Sequence, residues 1–309
     1  MKIVFMGTPQ FAVPCLQRLL EEGHDLLGVF TQPDKPKGRG YTLTPPPVKV
    51  VAQQNGIAVY QPKTLKDGKA VKILKELNPE LIIVVAYGKI LPKEILLLPK
   101  YGCINIHASI LPKYRGAAPI QWAVINGDKE TGVTSMYMDE DLDTGDMLIF
   151  DTVEIENDDS SGTMHDKLSM LGAQVLSKTI KKLEEGTLIR VKQNNGEATY
   201  APILDKSMSP IDWNESAKKI YNKIRGLSPW PVATAKYGEM TIKIHKSAVT
   251  SQVPGKDPGE IVSSKDKLTV VCGDGECIEI LQLQAPGSKA MLAQDFLRGH
   301  DMPVGTKFF

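Results

Sequence analysis

Apolar and polar positions follow a strand-and-helix order through the first part of the chain. Runs such as "KIVFMG" and "LIIVVA" lack polar alternation, which is typical of strands covered on both faces. Between them, "FAVPCLQRLLEEG" carries apolar residues at helical spacing and ends at Gly23, a natural helix terminator. Because strands and helices alternate, the pattern predicts a Rossmann-like, open and mostly parallel α/β sheet.

The pattern continues to residue 189 and then changes. "TGVTSMYM" and "DMLIFDTVEI" predict two further strands, and the segment from Ser161 to Gly186 predicts a long amphipathic helix capped by Ser160 or Ser161. The next stretch is polar with short apolar pieces, and later short strands separated by turns indicate a small, OB-like β-barrel. We therefore expect an N-terminal domain at residues 1–189, a linker at 190–204 and a C-terminal barrel at 205–309.

Composition narrows the function classes. A length of 309 residues fits two domains. The net charge of +1 excludes a globally basic nucleic-acid binder, although a local cationic element can still bind phosphates. The dinucleotide fingerprint and the Walker sequence are absent.

Targeting and redox features are equally plain. No apolar run has the length of a membrane span, and the N-terminal residues enter a strand without the layout of a signal peptide. The four cysteines are too sparse for a disulfide framework and lack metal spacing. We expect a reduced, cytoplasmic protein with no metal site.

The strand "CINIH" holds the first candidate chemistry. Side chains alternate faces along a strand, so Ile104 and Ile106 point one way while Asn105 and His107 point the other. At the carboxyl end of a strand, the polar face lies where open α/β sheets place their sites. A neutral His can accept a proton and an Asn amide can stabilise an oxyanion, so the pair suits attack on a carbonyl. The alternative is an Asn and a His bonded to nearby backbone, and spacing alone favours it.

A catalytic histidine needs a group that orients it, and the segment "MDEDLDTGDM" is rich in acids. Asp143 stands at a Thr-Gly turn between two predicted strands, which is a suitable place for a fixed carboxylate. A solvated acidic loop is the alternative, and EF-hand spacing is absent. Spacing does not decide which acid meets the histidine. The candidates are Asp139, Glu140, Asp141, Asp143 and Asp146.

A long basic segment, "QPDKPKGRGYTLTPPPVK", is the third feature. From Lys35 to Lys49 it carries the cations Lys35, Lys37, Arg39 and Lys49 and no acid. A loop of this length in a compact domain is usually functional or disordered. The functional interpretation is a cationic arm for phosphates, and a solvated linker loop is an equal alternative.

Six motifs together resemble the folate-dependent formyltransferase family, and they occur in the family's order from residue 1 to about 300. They are "FMGTPQFAVPCL", "FTQPDKPKGRG", "VVAYGKILP", "GCINIHASILPKYRGAAPIQWAVINGD", "TGVTSMYMDEDLDTGDML" and "SPWPVA". The basic loop and the C-terminal barrel are similar to the branch of the family that acts on tRNA. The resemblance implies formyl transfer from 10-formyltetrahydrofolate, a co-substrate, to the α-amino group of methionyl initiator tRNA for translation initiation.

The resemblance also assigns roles position by position. It implies a catalytic trio, a folate-binding turn and a tRNA-binding loop. The catalytic residues are Asn105, His107 and Asp143; the folate turn is Ser109, Ile110, Leu111 and Pro112; the tRNA-binding residues are Arg39, Lys35 and Lys37. Backbone at Val85–Gly88 and the loop Met138–Leu142 are implied to complete the folate pocket.

One position departs from the family pattern. Ile203 follows "TYAP" where relatives often have lysine, which puts one tRNA phosphate contact in doubt, and Lys206 is the nearest replacement. The competing hypotheses are a formyltransferase for an amino-sugar nucleotide, a folate-hydrolysing relative, glycinamide ribonucleotide formyltransferase, and a non-catalytic RNA-binding protein. The partners we expect are the tRNA and the folate, with no membrane, and the chain is expected to act as a monomer.

Overall fold

A seven-stranded sheet forms the centre of the first of two compact units. The computed structural model describes residues 1–37 and 42–309. The first unit comprises residues 1–116, 131–153 and 165–201. Its strands are β1 (Lys2–Gly7), β2 (Asp25–Phe30), β3 (Lys35–Lys37), β4 (Thr42–Thr44), β5 (Val59–Tyr60), β6 (Leu81–Val85), β7 (Cys103–His107), β8 (Arg115–Gly116), β9 (Glu130–Tyr137), β10 (Met147–Glu154) and β11 (Tyr200–Ala201).

The sheet order is β10-β9-β7-β6-β1-β2-β5. The five strands from β5 to β7 pair in parallel, and β9 joins β7 in the antiparallel direction. Its covering helices are α1 (Val13–Glu21), α2 (Pro47–Gln54), α3 (Lys69–Leu77), α4 (Lys93–Leu96) and α6 (Ser161–Glu184). The predicted open, mostly parallel α/β sheet is therefore confirmed.

The two faces of β7 differ as the alternation predicts. Ile106 lies under α6, where a Cβ added to Gly172 would stand 3.2 Å from Ile106 Cγ2, so the helix backbone approaches the strand closely. Cys103 belongs to the opposite face, in a cluster with Ile82 and Val84. At the start of α6, the Ser160 hydroxyl accepts a hydrogen bond from the Thr163 N–H at 3.2 Å, so Ser160 is the capping residue.

The second unit comprises residues 117–130, 154–164 and 202–309. Its sheet is antiparallel, in the order β12-β13-β16-β15-β14, and β17 pairs with β16. The elements are α5 (Pro119–Asn126), α7 (Ala217–Gly226), β12 (Ala233–Tyr237), β13 (Met240–Thr250), β14 (Ile261–Ser263), β15 (Leu268–Val271), β16 (Cys277–Gln284), β17 (Met291–Leu292) and α8 (Ala293–Leu297).

The C-terminal residues join the two edges of this curled sheet. Phe309 exchanges two backbone hydrogen bonds of 2.8 Å with Lys236 of the edge strand β12. A few residues earlier, Thr306 accepts from the Ile261 N–H of the other edge strand, β14, at 2.8 Å. The predicted OB-like barrel thus takes the form of a curled half-barrel whose edges share one short strap, residues 305–309.

The four cysteines are free and buried. Burial raises the pKa of the Cys15 and Cys103 thiols to about 12, so both stay protonated at neutral pH. Among the described residues, no helix has both the length and the apolar character needed to cross a bilayer.

Candidate active site

His107 stands at the carboxyl end of β7 and is 6 % exposed. Its Nε2 lies 3.0 Å from the carbonyl oxygen of Tyr114, and its Nδ1 lies 3.7 Å from Asp143 Oδ2. Since a carbonyl oxygen can only accept, Nε2 carries the hydrogen in this contact. The distance to Asp143 is too long for a hydrogen bond but within ion-pair range for a protonated ring.

Asn105 occupies the middle of β7, between Val84 of β6 and Met136 of β9. Its side chain is half-buried. Across the described ranges, the Asn105 amide makes no hydrogen bond to another residue. The backbone-bonded alternative therefore describes His107 but not Asn105, whose donor remains available to a substrate oxygen.

Asp143 is the acid that meets His107. Its backbone adopts the left-handed region with φ 55°, which a residue with a Cβ rarely occupies. Its Oδ2 accepts a hydrogen bond of 2.9 Å from the Gly116 N–H. Two other acids of the loop have different partners. Asp139 accepts a hydrogen bond from the Thr144 hydroxyl at 2.7 Å, and Glu140 forms an ion pair with Lys93 at 2.5 Å.

Two glycines permit the tight backbone around this carboxylate. A Cβ on Gly145 would stand 1.8 Å from the Tyr137 carbonyl oxygen, so only glycine fits there. Gly116 has φ 120°, and a Cβ on it would stand 2.7 Å from the Ala201 carbonyl oxygen in the neighbouring strand β11. Both glycines therefore let the chain pass close enough to fix Asp143.

Tyr114, whose carbonyl receives the imidazole, is also left-handed, with φ 61°. Its N–H donates to the Thr199 hydroxyl at 2.9 Å, and the Arg115 N–H donates to the Thr199 carbonyl at 2.8 Å. Both residues that face the His107 ring nitrogens, Tyr114 and Asp143, thus have strained backbone held from outside. Such strain is common at functional sites.

The stretch 190–204 supplies residues that the sequence pattern does not reveal. Gln193 is 5 % exposed and donates to the carbonyls of Asp143 and Gly145, both at 2.8 Å. Its side-chain oxygen accepts from Arg115, which is 2 % exposed. The sequence pattern predicts only a linker here, because the polar residues have no periodicity. No local signal marks Gln193, because its neighbours Lys192, Asn194 and Asn195 are polar as well.

The turn expected to bind folate is held internally. The Ser109 hydroxyl donates to the Lys113 carbonyl at 2.6 Å. Thr134 of β9 donates its hydroxyl to the Ser109 carbonyl at 2.7 Å and accepts from the Leu111 N–H at 3.2 Å. The Leu111–Pro112 bond is cis, and Ile110 is half-buried. The Ser109 side chain thus stabilises the turn.

The segment that follows β6, from residue 85 to 89, is hydrogen-bonded to residues at the ends of three other strands. The Tyr87 carbonyl accepts from the Thr8 hydroxyl at 3.1 Å and from Gln32 Nε2 at 3.0 Å. Lys89 Nζ donates to the carbonyls of Pro62 and Lys63. Thr8, Gln32 and Pro62 follow β1, β2 and β5, so these contacts connect four parallel strands at their carboxyl ends.

The basic segment is paired at its base. β3 and β4 form a short antiparallel hairpin in which Lys35 is exposed, and Lys37 lies on β3 opposite Thr42. Arg39 lies outside the described residues. Lys49 contacts Asp34 at 2.8 Å and Gln61 at 2.9 Å, so its charge is already balanced. These contacts lower the pKa of the Asp34 carboxyl, chiefly through the Lys49 hydrogen bond and then through Gln61.

Ile203 is exposed, and Lys206 opens a short 3₁₀ helix (Lys206–Met208) capped by the Asp205 carboxylate. Lys206 is exposed as well. With the residues that the structure describes, neither Ile203 nor Lys206 makes a contact that would indicate a role.

Family profiles match most of the chain. The profile described as "Formyl transferase" matches residues 1–180, and "Formyl transferase, C-terminal domain" matches residues 203–301. A methionyl-tRNA formyltransferase from Caldanaerobacter subterraneus is 56% identical over 307 residues, which cover 99% of each chain. One from Clostridioides difficile is 49% identical over 306 residues, again covering 99% of each chain.

Solved structures share the fold. An N-formyltransferase from Helicobacter canadensis, in complex with folinic acid and dTDP-3-aminofucose, has a TM-score of 0.70 and 22% identity, covering 92% of this chain and 99% of that one. A methionyl-tRNA formyltransferase from Clostridium thermocellum has a TM-score of 0.55 and 22% identity, covering 83% of this chain and 95% of that one. At these identities the likeness concerns fold alone.

Proposed function

The chain belongs to the formyl transferase family, and we propose that it transfers a formyl group from 10-formyltetrahydrofolate to the α-amino group of methionyl initiator tRNA, giving formylmethionyl-tRNA for translation initiation. The observation that carries the chemistry is His107, fixed between the Tyr114 carbonyl and the Asp143 carboxylate, on the same strand face as Asn105, whose amide makes no hydrogen bond within the described residues. The full-length relatives named for this activity support the choice of acceptor.

Asn105 stabilises negative charge on the formyl oxygen, and His107 transfers the proton of the attacking amine. When the unprotonated amine attacks, the formyl oxygen gains negative charge, and Asn105 donates its amide N–H to that oxygen. His107 then moves the proton lost by the amine towards the leaving folate nitrogen, directly or through a water held by Asp143. The bond that forms joins carbon to the α-nitrogen, and the bond that breaks joins carbon to folate N10.

Asp143 orients the imidazole and balances its charge. With the hydrogen on Nε2 bonded to the Tyr114 carbonyl, Nδ1 is the basic atom of neutral His107. A proton taken up on Nδ1 lies beside the Asp143 carboxylate, 3.7 Å away. The developing imidazolium is therefore opposite a fixed negative charge, as in other carboxylate–histidine pairs.

The residues present fit a folate next to the trio. The half-buried Asn105 lies beside Val84, directly before the backbone at 85–88, and its amide has no partner in the part of the chain that the structure describes. Leu142, next to Asp143, is 57% exposed and offers apolar surface to a flat ring. Bound folate would supply the formyl group, and the turn Ser109–Pro112 and the loop Met138–Leu142 would hold it.

The basic segment contacts the tRNA in this proposal. Lys35, Lys37 and Arg39 would meet acceptor-end phosphates, since Lys49 is already paired with Asp34. Residues 1–189 then carry the chemistry, 205–309 bind tRNA, and 190–204 connect them. We propose that the chain works in the reducing cytoplasm as a monomer.

One assay tests the proposal. The purified chain is given 10-formyltetrahydrofolate with charged initiator tRNA, with an amino-sugar nucleotide, or with water alone, and release of deformylated folate is followed. We expect rapid release only with the charged tRNA. Comparable release with the sugar nucleotide would assign the chain to sugar formylation, and equal release in all three would assign it to folate hydrolysis.

A further inference from the structure

We propose that Gln193 is a positioning residue for the reaction, and that it acts by holding the turn that presents Asp143 to His107. The inference rests on the proposed function and assigns a mechanistic role to a segment outside the expected catalytic residues. Four hydrogen bonds of one buried side chain carry the argument.

Every hydrogen-bonding position of the Gln193 amide is used. Its oxygen accepts from Arg115 Nε at 3.0 Å and from Arg115 Nη2 at 2.8 Å. Its nitrogen donates to the carbonyls of Asp143 and Gly145, both at 2.8 Å. A primary amide has two donors and two acceptor sites, so Gln193 is fully satisfied. Among side chains of this length, only glutamine carries both an accepting oxygen and a nitrogen with two N–H donors on one terminal group.

The contacts close into a ring around Asp143. The guanidinium of Arg115 reaches the Asp143 carbonyl through Gln193, while the next residue, Gly116, donates its N–H to the Asp143 carboxylate at 2.9 Å. Of two adjacent residues, Gly116 thus binds the side chain of Asp143, and Arg115 supports its backbone carbonyl through Gln193. We call this arrangement the Asp143 ring, made of Arg115, Gly116, Asp143 and Gln193.

The ring matters because Asp143 needs external support. Its left-handed backbone is disfavoured for a residue with a Cβ, so the turn relaxes when its carbonyls lose their donors. Arg115 strengthens the support, since a cation on the amide oxygen makes the amide N–H a better donor. Rotation of the turn would move the carboxylate away from His107 without removing any group that touches a substrate.

The sharpest test is Gln193→Glu. Glutamate keeps acceptors for Arg115 but cannot donate to the two carbonyls of the turn. We expect kcat to fall by ~10- to 100-fold, the range typical for loss of an orienting partner, while KM for folate and for tRNA stays within about 2-fold. Gln174→Glu, on the exposed face of α6, adds the same charge elsewhere and should leave all three constants unchanged.

A double-mutant cycle distinguishes positioning from general destabilisation. If Gln193 acts through Asp143, Gln193→Glu should cost nothing further in an Asp143→Asn background. A merely structural role would lower kcat by the same factor in both backgrounds and would lower the Tm in step. Equal, multiplicative losses would overturn the proposal.

A second readout needs no substrate. Amide hydrogen exchange of Gly116, which donates to Asp143, should speed up in Gln193→Glu and stay unchanged in Gln174→Glu. Unchanged protection of Gly116 in Gln193→Glu would overturn the inference. Failure of the proposed function would look different, because the unmodified chain would then not formylate charged tRNA while Gly116 exchange still responded to Gln193→Glu.

Discussion

The His107 site and the basic segment are built in opposite ways. Around His107, Tyr114 and Asp143 are half-buried and held by specific hydrogen bonds, and Asp143 is bonded at both its backbone and its side chain. In the described part of the basic segment, the Lys49–Asp34 pair holds the base, while Lys35 is exposed to solvent. Proton transfer demands placement within a fraction of an ångström, whereas attraction of phosphates depends on charge over several ångströms. The contrast separates parts that perform chemistry from parts that gather substrate.

Removal of the His107 imidazole is expected to have the largest effect, and it tests whether this site performs the chemistry. For His107→Ala we expect kcat to fall by ~100- to 10,000-fold, because the proton carrier is lost, with little change in folate binding. Steady-state formylation and folate calorimetry measure the two quantities. His165→Ala, on the surface of α6, is the matched control and should keep its activity. A loss of folate affinity as large as the loss in kcat would contradict the assignment.

Gly116→Ala probes how tightly the site is built. Its Cβ would stand 2.7 Å from the Ala201 carbonyl at φ 120°, so the N–H that holds Asp143 must shift. Displacement by about 1 Å costs roughly 100-fold in kcat. Gly186→Ala is the control, since it has φ 69° in open space and should lose about 1–2 kcal/mol of stability without losing activity. Urea unfolding measures the loss of stability and kcat measures the loss of activity. An equal kcat in both variants would show that catalysis does not require a rigidly held Asp143.

Arg39→Ala tests the substrate-gathering side. Loss of one phosphate contact should raise KM for tRNA several-fold and reduce the slope of log KM against log salt by ~1, with folate binding unchanged. Lys49→Met should leave that slope unaltered, because its charge is balanced by Asp34. Steady-state rates over a salt series provide the comparison. If Lys49→Met lowers the slope as much as Arg39→Ala, then the pairing with Asp34 does not persist when tRNA binds.

The smallest effect concerns the Lys49–Asp34 pair itself. Lys49 and Gln61 lower the folded-state pKa of Asp34, so the pair contributes stability above the ordinary carboxyl pKa and loses it as pH falls through the lowered value. Lys49→Met should move the Asp34 midpoint upward, towards the ordinary aspartate range, in a carbon-13 NMR titration. Lys35→Met, which removes an exposed cation of the same segment, should not move it. The absence of any shift in Lys49→Met would assign the lowering to Gln61.

Much of the fold was predictable because local pattern decides it. Continuous apolar runs indicated buried strands such as β6, and alternation in β7 separated the Ile104–Ile106 face from the Asn105–His107 face. The cap was predictable as Ser160 or Ser161 because small hydroxyl residues satisfy the first helical N–H groups, and the structure selects Ser160. In each case neighbours in sequence carry the physical cause.

The support of the site was not predictable, since its contacts are distant in sequence. Gln193 meets the turn at Asp143 across fifty positions, and no local pattern marks a glutamine that will be buried. Spacing alone did not choose among the five acids of the loop, although the resemblance implied Asp143, whose carboxylate accepts from the Gly116 N–H. Asp34 directly precedes the acid-free run that begins at Lys35, and its pairing with Lys49 spans fifteen positions, so the neutralisation of Lys49 was missed.

α5 illustrates a consequence for exchanging parts between relatives. It precedes β9 in the chain, yet it packs within the second unit: Trp122 donates its ring N–H to the Pro202 carbonyl at 2.9 Å, and a Cβ on Gly226 of α7 would stand 2.4 Å from the Ile125 side chain. A recombinant that swaps only the segment after residue 202 would pair one parent's α5 with the other's α7. A functional chimera must therefore transfer residues 117–130 and 154–164 as well, so the unit that can be exchanged between relatives consists of three separate segments of the chain.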